Sequence, residues 1–263
     1  MQDGPTVTDR HLPAISRYTT FPSLPERLDG LCLFLDLDGT LLDLAEAPDA
    51  VIVPEELQAG LTGLAKRLDG ALALVTGRPL AFVDRLFPGN RFFLAGLHGA
   101  EIRAADSAPV SSEVVDFRLE AAKKRLRQVT AKWPGVLVED KGRAVAVHYR
   151  QAPAMELPMR ALMEEIAPTV PGWVLQPGKF VVELRPRGHD KGDALRVFME
   201  RNPFAGRLPL AIGDDVTDEA MFAVANAMGG TSMRVGRAST PTMACGRIET
   251  PDELRRWIAS QVG

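Results

Sequence analysis

The stretch FLDLDGT (34–40) ends an apolar run with two aspartates one residue apart, Asp36 and Asp38. A buried carboxylate is costly unless a cation or hydrogen-bond donors accompany it. The pair therefore either forms a turn at a high cost in free energy or belongs to a catalytic site. A second acidic cluster, GDD (213–215), follows another apolar run. Two such clusters in one chain favour the catalytic site over the structural turn.

The oxygen-rich clusters predict a magnesium site. Hard oxygen ligands with no clustering of histidine or thiolate suit Mg²⁺, and Asp36 and Asp214 are the best side-chain ligands. Lys191 opens the helix before the second cluster, where its charge and that of Mg²⁺ can offset a phosphate dianion. Of Asp214 and Asp215, one is expected to bind metal and the other to support it. Asp218 is either a helix cap or a further support.

These groups predict phosphoryl transfer through a covalent intermediate. A metal-screened carboxylate such as Asp36 can attack phosphorus and form an aspartyl-phosphate. Asp38 lies on the same loop and can protonate the leaving alcohol, then activate a water molecule. Thr76, in the segment TGR (76–78), can bind phosphoryl oxygens together with the backbone N–H groups around Gly77. The alternative is that Thr76 is an ordinary helix N-cap.

Alternating apolar runs and helical patterns predict the scaffold that positions these loops. Predicted strands cover 31–37, 71–77, 91–96, 208–215 and 231–236. Predicted helices cover 54–68, 79–87, 191–202, 217–227 and 251–262. Continuously apolar strands separated by helices are typical of a parallel sheet covered on both faces, an α/β fold of Rossmann type. The polar loops follow the carboxyl ends of strands, where open α/β sheets bind ligands.

The middle of the chain has a different pattern. Helical segments at 114–133 and 157–170 alternate with two hairpins, 135–150 turning near Asp140–Gly142 and 173–186 turning around Pro177-Gly178. Hairpins with helices predict a small α+β cap inserted into the larger domain. The predicted division gives a catalytic core of residues 30–109 and 187–263 and a cap of residues 110–186. The connections 106–113 and 186–190 are the predicted hinges, so that the cap can close over the substrate.

Residues 1–29 show no clear periodicity, and we interpret them as an N-terminal extension, either a flexible arm or an irregular strap packed on the domain. They contain no apolar signal segment, which predicts a cytoplasmic location, and no stretch of the chain approaches the length of a membrane span. The oligomeric state is left open, with a monomer favoured.

Composition argues against a nucleic-acid partner. The net charge is −3 and the isoelectric point about 5.9. The densest basic stretch, KKRLRQ (123–128), has the spacing of the solvated face of a helix. Cys32 and Cys245 lie far apart without metal-site spacing, which argues against a disulfide framework or a structural zinc site.

The segments DLDGT (36–40), TGR (76–78), Lys191 and GDDVTDE (213–219) resemble the motifs of the haloacid dehalogenase-like phosphatases, over about residues 31–260. The resemblance implies a Rossmann-like core with an inserted cap of the C2 type. It also implies Asp36 as nucleophile, Asp38 as general acid/base and Mg²⁺ as cofactor. In that family the backbone carbonyl of the second aspartate contacts the metal, so the implied ligands are Asp36, Asp38 and Asp214.

Further strings are similar to those of the bacterial trehalose-6-phosphate phosphatase family. They are GLHGAE (96–101), HYRQAP (148–153), GKFVVELRPRGHDKGDAL (178–195) and GDDVTDEAMF (213–222). This resemblance implies hydrolysis of the sugar phosphate trehalose 6-phosphate to trehalose and phosphate, the last step of trehalose biosynthesis. Another cap-bearing sugar phosphatase, or a phosphomutase with the same core, is the alternative enzyme. A catalytically inactive sugar-phosphate sensor is the non-enzyme alternative, and the intact acidic motifs argue against it.

Charged residues within the cap hairpins predict a sugar-binding surface. Glu139 and Lys141 are two residues apart on the first hairpin and can share a face. Lys179 lies in the turn of the second hairpin, and Glu183 interrupts the apolar string FVVEL. A sugar needs hydrogen-bond acceptors and donors, and Glu and Lys supply them. By resemblance, Glu139, Lys141 and Glu183 contact the sugar distal to the phosphate; the alternative is a salt-bridged cap surface.

Three more residues near these strings have open roles. His148 and Arg150, in the second strand of the first hairpin, either help to bind the sugar or hold the hairpin. His98, within GLHG, is interpreted as a loop or hinge residue near the site rather than a catalyst.

Overall fold

The computed structural model describes residues 23–45, 50–89, 92–105, 116–178, 180–236 and 241–262. Its strands are β1 (Leu31–Leu35), β2 (Leu72–Val75), β3 (Phe93–Gly96), β4 (Glu101–Arg103), β5 (Leu137–Asp140), β6 (Val145–His148), β7 (Trp173–Gly178), β8 (Val181–Pro186), β9 (Leu208–Gly213), β10 (Thr231–Val235) and β11 (Gly246–Ile248). Its α-helices are α1 (Glu55–Arg67), α2 (Leu80–Leu86), α3 (Phe117–Thr130), α4 (Glu156–Ile166), α5 (Lys191–Met199), α6 (Glu219–Ala227) and α7 (Pro251–Val262).

The larger sheet has seven strands in the order β11-β10-β9-β1-β2-β3-β4. From β1 the chain adds strands outward on one side, through β2 and β3, and later on the other side, through β9, β10 and β11. The crevice at this reversal is where doubly wound sheets bind ligands. The loops after β1, β2 and β9 carry Asp36, Thr76 and Asp214, so the fold brings the predicted chemistry to one place.

Two short strands were not predicted. All neighbouring pairs of the larger sheet are parallel except β3–β4, so the sheet is mixed rather than purely parallel. β4 and β11 each have three residues, too few to show a periodic pattern. β4 is held by a salt bridge from buried Arg103 to Asp84 of α2, with two contacts of 2.7 Å.

The central strand β1 is apolar on both faces because both of its faces are buried. Every residue from Cys32 to Leu35 is inaccessible to solvent. Since alternate side chains of a strand point to opposite faces, both faces of the sheet are covered. Phe34 packs against Phe198 and Phe204, with ring centroids 6.3 and 5.3 Å away. Cys32 and Cys245 are free thiols.

The cap segment forms its own antiparallel sheet in the order β5-β6-β8-β7, with α3 and α4 and a separate apolar cluster. The second hairpin turns one or two residues later than predicted, because Gly178 still pairs with Val181. The predicted domain boundary at residue 110 lies outside the described residues, and so does the predicted hinge 106–113. The domain limits therefore stay predictions.

The basic stretch of α3 forms the predicted solvated face at Lys124, Arg125, Arg127 and Gln128, which are exposed, but the prediction was wrong for Lys123. Lys123 is buried, and its Nζ contacts Glu120 at 2.6 Å, the carbonyl of Gly142 at 2.6 Å and Asp140 at 2.7 Å. A lysine stem can lie along an apolar surface when oxygens satisfy its charge. Lys123 therefore fixes the turn next to Lys141.

Residues 23–29 pack against the core as an irregular strap. Leu28 is buried in the main apolar cluster, and the Pro25 carbonyl accepts a hydrogen bond of 2.9 Å from Trp257 Nε1. For these residues the structure favours the strap over the flexible arm, while residues 1–22 lie outside the described part. No helix among the described residues is long and apolar enough to cross a membrane.

Candidate active site

Lys191 lies at the centre of the acidic cluster. Its Nζ is 2.8 Å from Asp36 Oδ1 and 2.7 Å from Asp218 Oδ1, and all three residues are buried. Burial alone would lower the pKa of Lys191, but the charges of Asp218 and Asp36 raise it above its ordinary value. Lys191 is therefore a fixed cation beside the carboxylate predicted to be the nucleophile.

Asp218 supports both Lys191 and the second acidic loop. Its Oδ2 accepts hydrogen bonds of 3.0 Å from the backbone N–H groups of Asp214 and Asp215. A Cβ at Gly213 would lie 2.2 Å from the Asp218 carboxyl carbon, so a larger residue cannot fit there. The Asp218 side chain makes no capping hydrogen bond to α6; it completes a capping box with Asp215 in the turn before that helix and also orients the lysine. Its support of a metal stays a prediction.

Asp214 closes the cluster on the other side. Oxygens of Asp36, Asp214 and Asp218 lie within 4.8 Å of one another. Burial and the nearby charge of Asp218 raise the pKa of Asp214 to about 7, and burial raises that of Asp36. Lys191 supplies one positive charge to these three carboxylates, so the cluster could hold a further cation. Because Asp218 already accepts three hydrogen bonds, Asp36 and Asp214 are the better placed to bind one.

The turn after β1 is shaped around Asp214. Gly39 has a φ of +79°, and a Cβ there would lie 2.2 Å from Asp214 Oδ2. Thr40 Oγ1 donates a 3.2 Å hydrogen bond to Asp214 Oδ1. Glycine at this position is therefore required both by the backbone conformation and by the space for Asp214.

Gly39→Ala tests this close approach. The methyl group displaces Asp214 and strains the turn, so we expect phosphate release to fall by about 100-fold or more, with a loss of unfolding free energy of about 1–3 kcal/mol. Steady-state assays and thermal unfolding measure both. Gly206→Ala is the matched control, because Gly206 also has a positive φ but no atom of the described residues lies within 4 Å of its Cβ position. Equal loss of activity in both variants would contradict the assignment.

Asp38 is held by Arg78. Both carboxylate oxygens accept hydrogen bonds of 2.8 Å, from Nε and Nη2 of Arg78. Arg78 Nη1 also lies 3.6 Å from Glu139 Oε1, and its guanidinium stacks 4.4 Å from the centre of the Phe82 ring. Arg78 therefore links the predicted acid/base in the core to a predicted sugar-binding residue in the cap.

Thr76 is buried at the end of β2, and its Oγ1 accepts a 3.1 Å hydrogen bond from the Arg78 backbone N–H. Helix α2 begins at Leu80 and its N-cap position is Pro79, so Thr76 is not the helix N-cap. Its hydroxyl donates to no acceptor among the residues that the structure describes, so this hydrogen is available for donation. The segment 76–78 is thus a turn between β2 and α2, next to the acidic cluster.

Glu183 and Lys141 form a buried ion pair that reaches the core. Lys141 Nζ donates to Glu183 Oε2 at 2.6 Å and to the Gly77 carbonyl at 3.2 Å. Burial alone would raise the pKa of Glu183, but Lys141 and His98 lower it to about 2. Glu183 Oε1 is buried and has no hydrogen-bond partner among the described residues. The pair is therefore not a solvated salt bridge of the cap surface.

Glu139 is paired with His148 on the neighbouring strand. Glu139 Oε2 lies 2.7 Å from His148 Nε2. Burial alone would raise the pKa of Glu139, but the His148 hydrogen bond and the charges of Lys141 and Arg78 lower it below its ordinary value. His148 therefore contacts Glu139 across the hairpin, and a role of His148 in sugar binding stays a prediction.

Arg150 and Lys179 are the other two residues predicted to bind the sugar from the cap. The Arg150 guanidinium lies 5.9 Å from the centre of the Phe180 ring. Lys179 lies outside the described residues.

His98, in the core, is buried against Gly77, with Nε2 3.7 Å from Glu183 Oε2, and burial lowers the pKa of His98.

Arg78 is part of the TGR segment, but no role was predicted for it. Its place directly after a predicted phosphate-binding turn is a sequence signal that its guanidinium could contact a carboxylate. Its partners, however, lie 40 and 61 residues away in sequence and only the fold brings them to it.

The chain matches a known protein family over both the core and the cap. The family model described as trehalose-phosphatase matches residues 34–245, which span both the acidic cluster and the cap. The chain belongs to the trehalose-phosphatase family. Membership makes it a phosphatase, as the acidic loops predicted, and confirms the resemblance on which the cap residues were chosen.

Two relatives illustrate how far the family likeness extends. A probable trehalose-phosphate phosphatase of Sinorhizobium fredii is 52% identical over 90% of this chain and 90% of its own length. The trehalose-6-phosphate phosphatase of Escherichia coli is 42% identical over 89% of this chain and 87% of its own. Such coverage includes the cap as well as the core.

A solved structure shares the fold of this trehalose-phosphatase family member. The C-terminal domain of C. albicans trehalose-6-phosphate phosphatase has a TM-score of 0.75 and 24% identity, covering 89% of this chain and 92% of that one. The predicted α/β fold class, a Rossmann-like core with an α+β cap, is thereby confirmed.

Proposed function

We propose that the protein hydrolyses trehalose 6-phosphate to trehalose and phosphate, as the last step of trehalose biosynthesis, through an aspartyl-phosphate on Asp36 and with Mg²⁺ as cofactor. The observation that carries the proposal is the contact between cap and core. Lys141 binds the Gly77 carbonyl and Glu139 lies near Arg78, so the predicted sugar-binding residues adjoin the predicted phosphate-binding turn.

The acidic cluster fits a magnesium ion. Its donors are carboxylate oxygens, buried and close enough together to raise the pKa of Asp36 and Asp214. Asp36 and Asp214 would hold the ion, together with the backbone carbonyl of Asp38. When bound, Mg²⁺ screens the charge of Asp36 and of the phosphate dianion so that an anion can attack another anion.

Asp36 is the proposed nucleophile. A carboxylate oxygen of Asp36 attacks phosphorus, the bond between phosphorus and the sugar oxygen breaks, and an acyl-phosphate forms. Lys191 Nζ, held at 2.7 Å by Asp218, offsets charge on the phosphoryl oxygens. The Thr76 hydroxyl and the backbone N–H groups around Gly77 donate to the same oxygens.

Asp38 is the proposed proton carrier. It gives a proton to the leaving sugar oxygen and then takes one from the water that attacks the acyl-phosphate, which releases phosphate and restores Asp36. When Asp38 carries the proton, one of its oxygens becomes a weaker hydrogen-bond acceptor. At least one of the two 2.8 Å hydrogen bonds from Arg78 is therefore expected to weaken in each turnover.

Glu183, Lys141 and Glu139 are the proposed sugar-binding residues. Oε1 of Glu183 has no hydrogen-bond partner within the described part of the chain, and a sugar hydroxyl would supply a donor. Glu139, fixed by His148, offers further acceptor capacity, and Lys141 offers donors. Arg150 and Lys179 are predicted contributors to the same surface. A cytoplasmic location and a monomeric state also stay predictions.

A panel of sugar phosphates tests the substrate. With Mg²⁺ present, we expect kcat/KM for trehalose 6-phosphate to exceed that for glucose 6-phosphate, sucrose 6-phosphate and a mannosyl phosphate by about 100-fold or more, because several hydrogen bonds to charged groups depend on the second sugar. Phosphate release is the readout. Comparable turnover of any of these alternatives would point to another cap-bearing sugar phosphatase, and retention of the phosphoryl group with transfer to a second sugar would point to a phosphomutase.

Removal of the metal gives a separate prediction. Chelation is expected to abolish turnover, and added Mg²⁺ to restore it. In the metal-free protein the pKa values of Asp36 and Asp214 are raised above their unfolded values, so the folded state binds more protons and stability falls as pH rises from about 4 towards 7. Mg²⁺ should therefore raise the melting temperature more at pH 8 than at pH 5.5. Asp214→Asn should weaken this pH dependence, and an unchanged dependence would contradict the metal site.

A further inference from the structure

His98 occupies a strained loop directly against the phosphate-binding turn. Leu97 and His98 have φ values of +47° and +57°, a region that non-glycine residues adopt at a cost of about 1 kcal/mol or more. Two backbone hydrogen bonds hold them there, from Leu97 N to the Arg78 carbonyl at 3.1 Å and from His98 N to the Thr76 carbonyl at 3.0 Å. Strain maintained in this way indicates a position with a function.

The imidazole ring is packed on Gly77. A Cβ at residue 77 would lie 2.6 Å from His98 Cε1 and 2.7 Å from Nε2. The Gly77 carbonyl, on the same residue, accepts the hydrogen bond from Lys141 of the cap. Gly77 therefore leaves space for the ring at the point where the cap meets the core.

The ring faces Glu183 from the core side. Its Nε2 lies 3.7 Å from Glu183 Oε2, the oxygen that also accepts the 2.6 Å hydrogen bond from Lys141. A neutral ring with its hydrogen on Nε2 presents a partial positive charge to this oxygen. Oε2 thus lies between Lys141 and His98, and Oε1 is left buried without a partner among the described residues.

We propose that His98 is a positioning residue for substrate selectivity, which fixes the Glu183 carboxylate so that Oε1 can accept a hydrogen bond from a hydroxyl of the sugar. The inference rests on the proposed function, since it takes a sugar phosphate as the substrate. His98 acts through Glu183 and takes no part in the transfer of the phosphoryl group.

Two substitutions separate this role from simple space filling. Asparagine tolerates a positive φ but its amide reaches only the position of Nδ1, whereas the amide of glutamine reaches that of Nε2. We expect His98→Asn to lower the ratio of kcat/KM for trehalose 6-phosphate to kcat/KM for p-nitrophenyl phosphate by about tenfold, mainly through KM. His98→Gln should restore the ratio to within about threefold of the wild type. Equal losses in both variants would overturn the proposal.

A double-mutant cycle with Glu183→Gln tests the route of the effect. If His98 acts through Glu183, His98→Asn has little further effect on the ratio once Glu183 is changed. Independent, multiplicative losses would show that His98 does not act through Glu183. Should His98→Asn fail to fold, Gly77→Ala displaces the ring without changing it and should lower the same ratio; an unchanged ratio in that variant would also overturn the proposal.

The same experiment separates this inference from the proposed function. If wild-type protein does not hydrolyse trehalose 6-phosphate, the proposed function fails and the panel identifies the sugar phosphate that is turned over. The cycle is then measured with that substrate against p-nitrophenyl phosphate. If the cycle with that substrate showed no coupling between His98 and Glu183, the positioning role of His98 would be overturned independently of the proposed function.

Discussion

Asp36→Asn is expected to abolish phosphate release, with kcat lowered by at least about 1,000-fold. The amide has the shape of the carboxyl group but cannot attack phosphorus, and no acyl-phosphate can form. Phosphate release and incorporation of labelled phosphate into the protein are the measurements. A variant that kept wild-type turnover would rule out the aspartyl-phosphate.

The fold should survive this substitution. Asp36 is buried, and its carboxylate lies close to Asp214 and Asp218, so the neutral amide removes a charge from a crowded anionic cluster. Lys191 keeps Asp218 as a partner at 2.7 Å. We therefore expect the metal-free variant to melt at or above the temperature of the wild type. Asp69→Asn is the matched control, because Asp69 is exposed on the surface and has a positive φ that asparagine tolerates. It should leave turnover unchanged.

Glu139→Ala and Glu183→Ala are expected to change substrate selectivity more than chemistry. Each removes a charged acceptor from the proposed sugar-binding surface, and a hydrogen bond to a charged group is worth about 1.5–3 kcal/mol. The ratio of kcat/KM for trehalose 6-phosphate to that for p-nitrophenyl phosphate should therefore fall by about 10- to 100-fold in each variant. Steady-state kinetics with both substrates gives the ratio directly.

The control for these variants lies in the same cap. Glu164 is exposed on α4, and Glu164→Ala should leave the ratio at its wild-type value. Glu183→Ala also leaves Lys141 without its carboxylate partner, so some loss of stability is expected in that variant. Equal losses on both substrates would show that Glu139 and Glu183 are structural residues and do not bind the sugar.

The core of the site could be anticipated because its residues follow simple local patterns. Asp36, Thr76 and Asp214 each come directly after an apolar strand, and Lys191 begins a helix. Parallel strands place their carboxyl ends at one edge of a sheet, so the adjacency of these residues follows from the order of strands and helices. The short edge strands β4 and β11 escaped prediction because three residues carry no period.

The cap contacts could not be anticipated in the same way. Lys141 and Glu183 are 42 residues apart, and they meet because β6 pairs with both β5 and β8. The sequence predicted the residue types for sugar binding, but not that Lys141 would reach the backbone of Gly77. Lys123 was assigned to a solvated face because a charge run gives no sign that one of its members is buried.

The sequence by itself determined the chemistry available to this protein. Carboxylates after two strands and a lysine at a helix start predict metal-assisted phosphoryl transfer, and charged residues within apolar cap strands predict a hydroxyl-rich substrate. The tertiary structure decided which of these groups act on one another. Arg78 bridges Asp38 and Glu139, and His98 meets Glu183, because packing brings together loops that are distant along the chain. Local patterns specify residue types and elements, whereas distances between side chains exist only once the sheets and loops have packed.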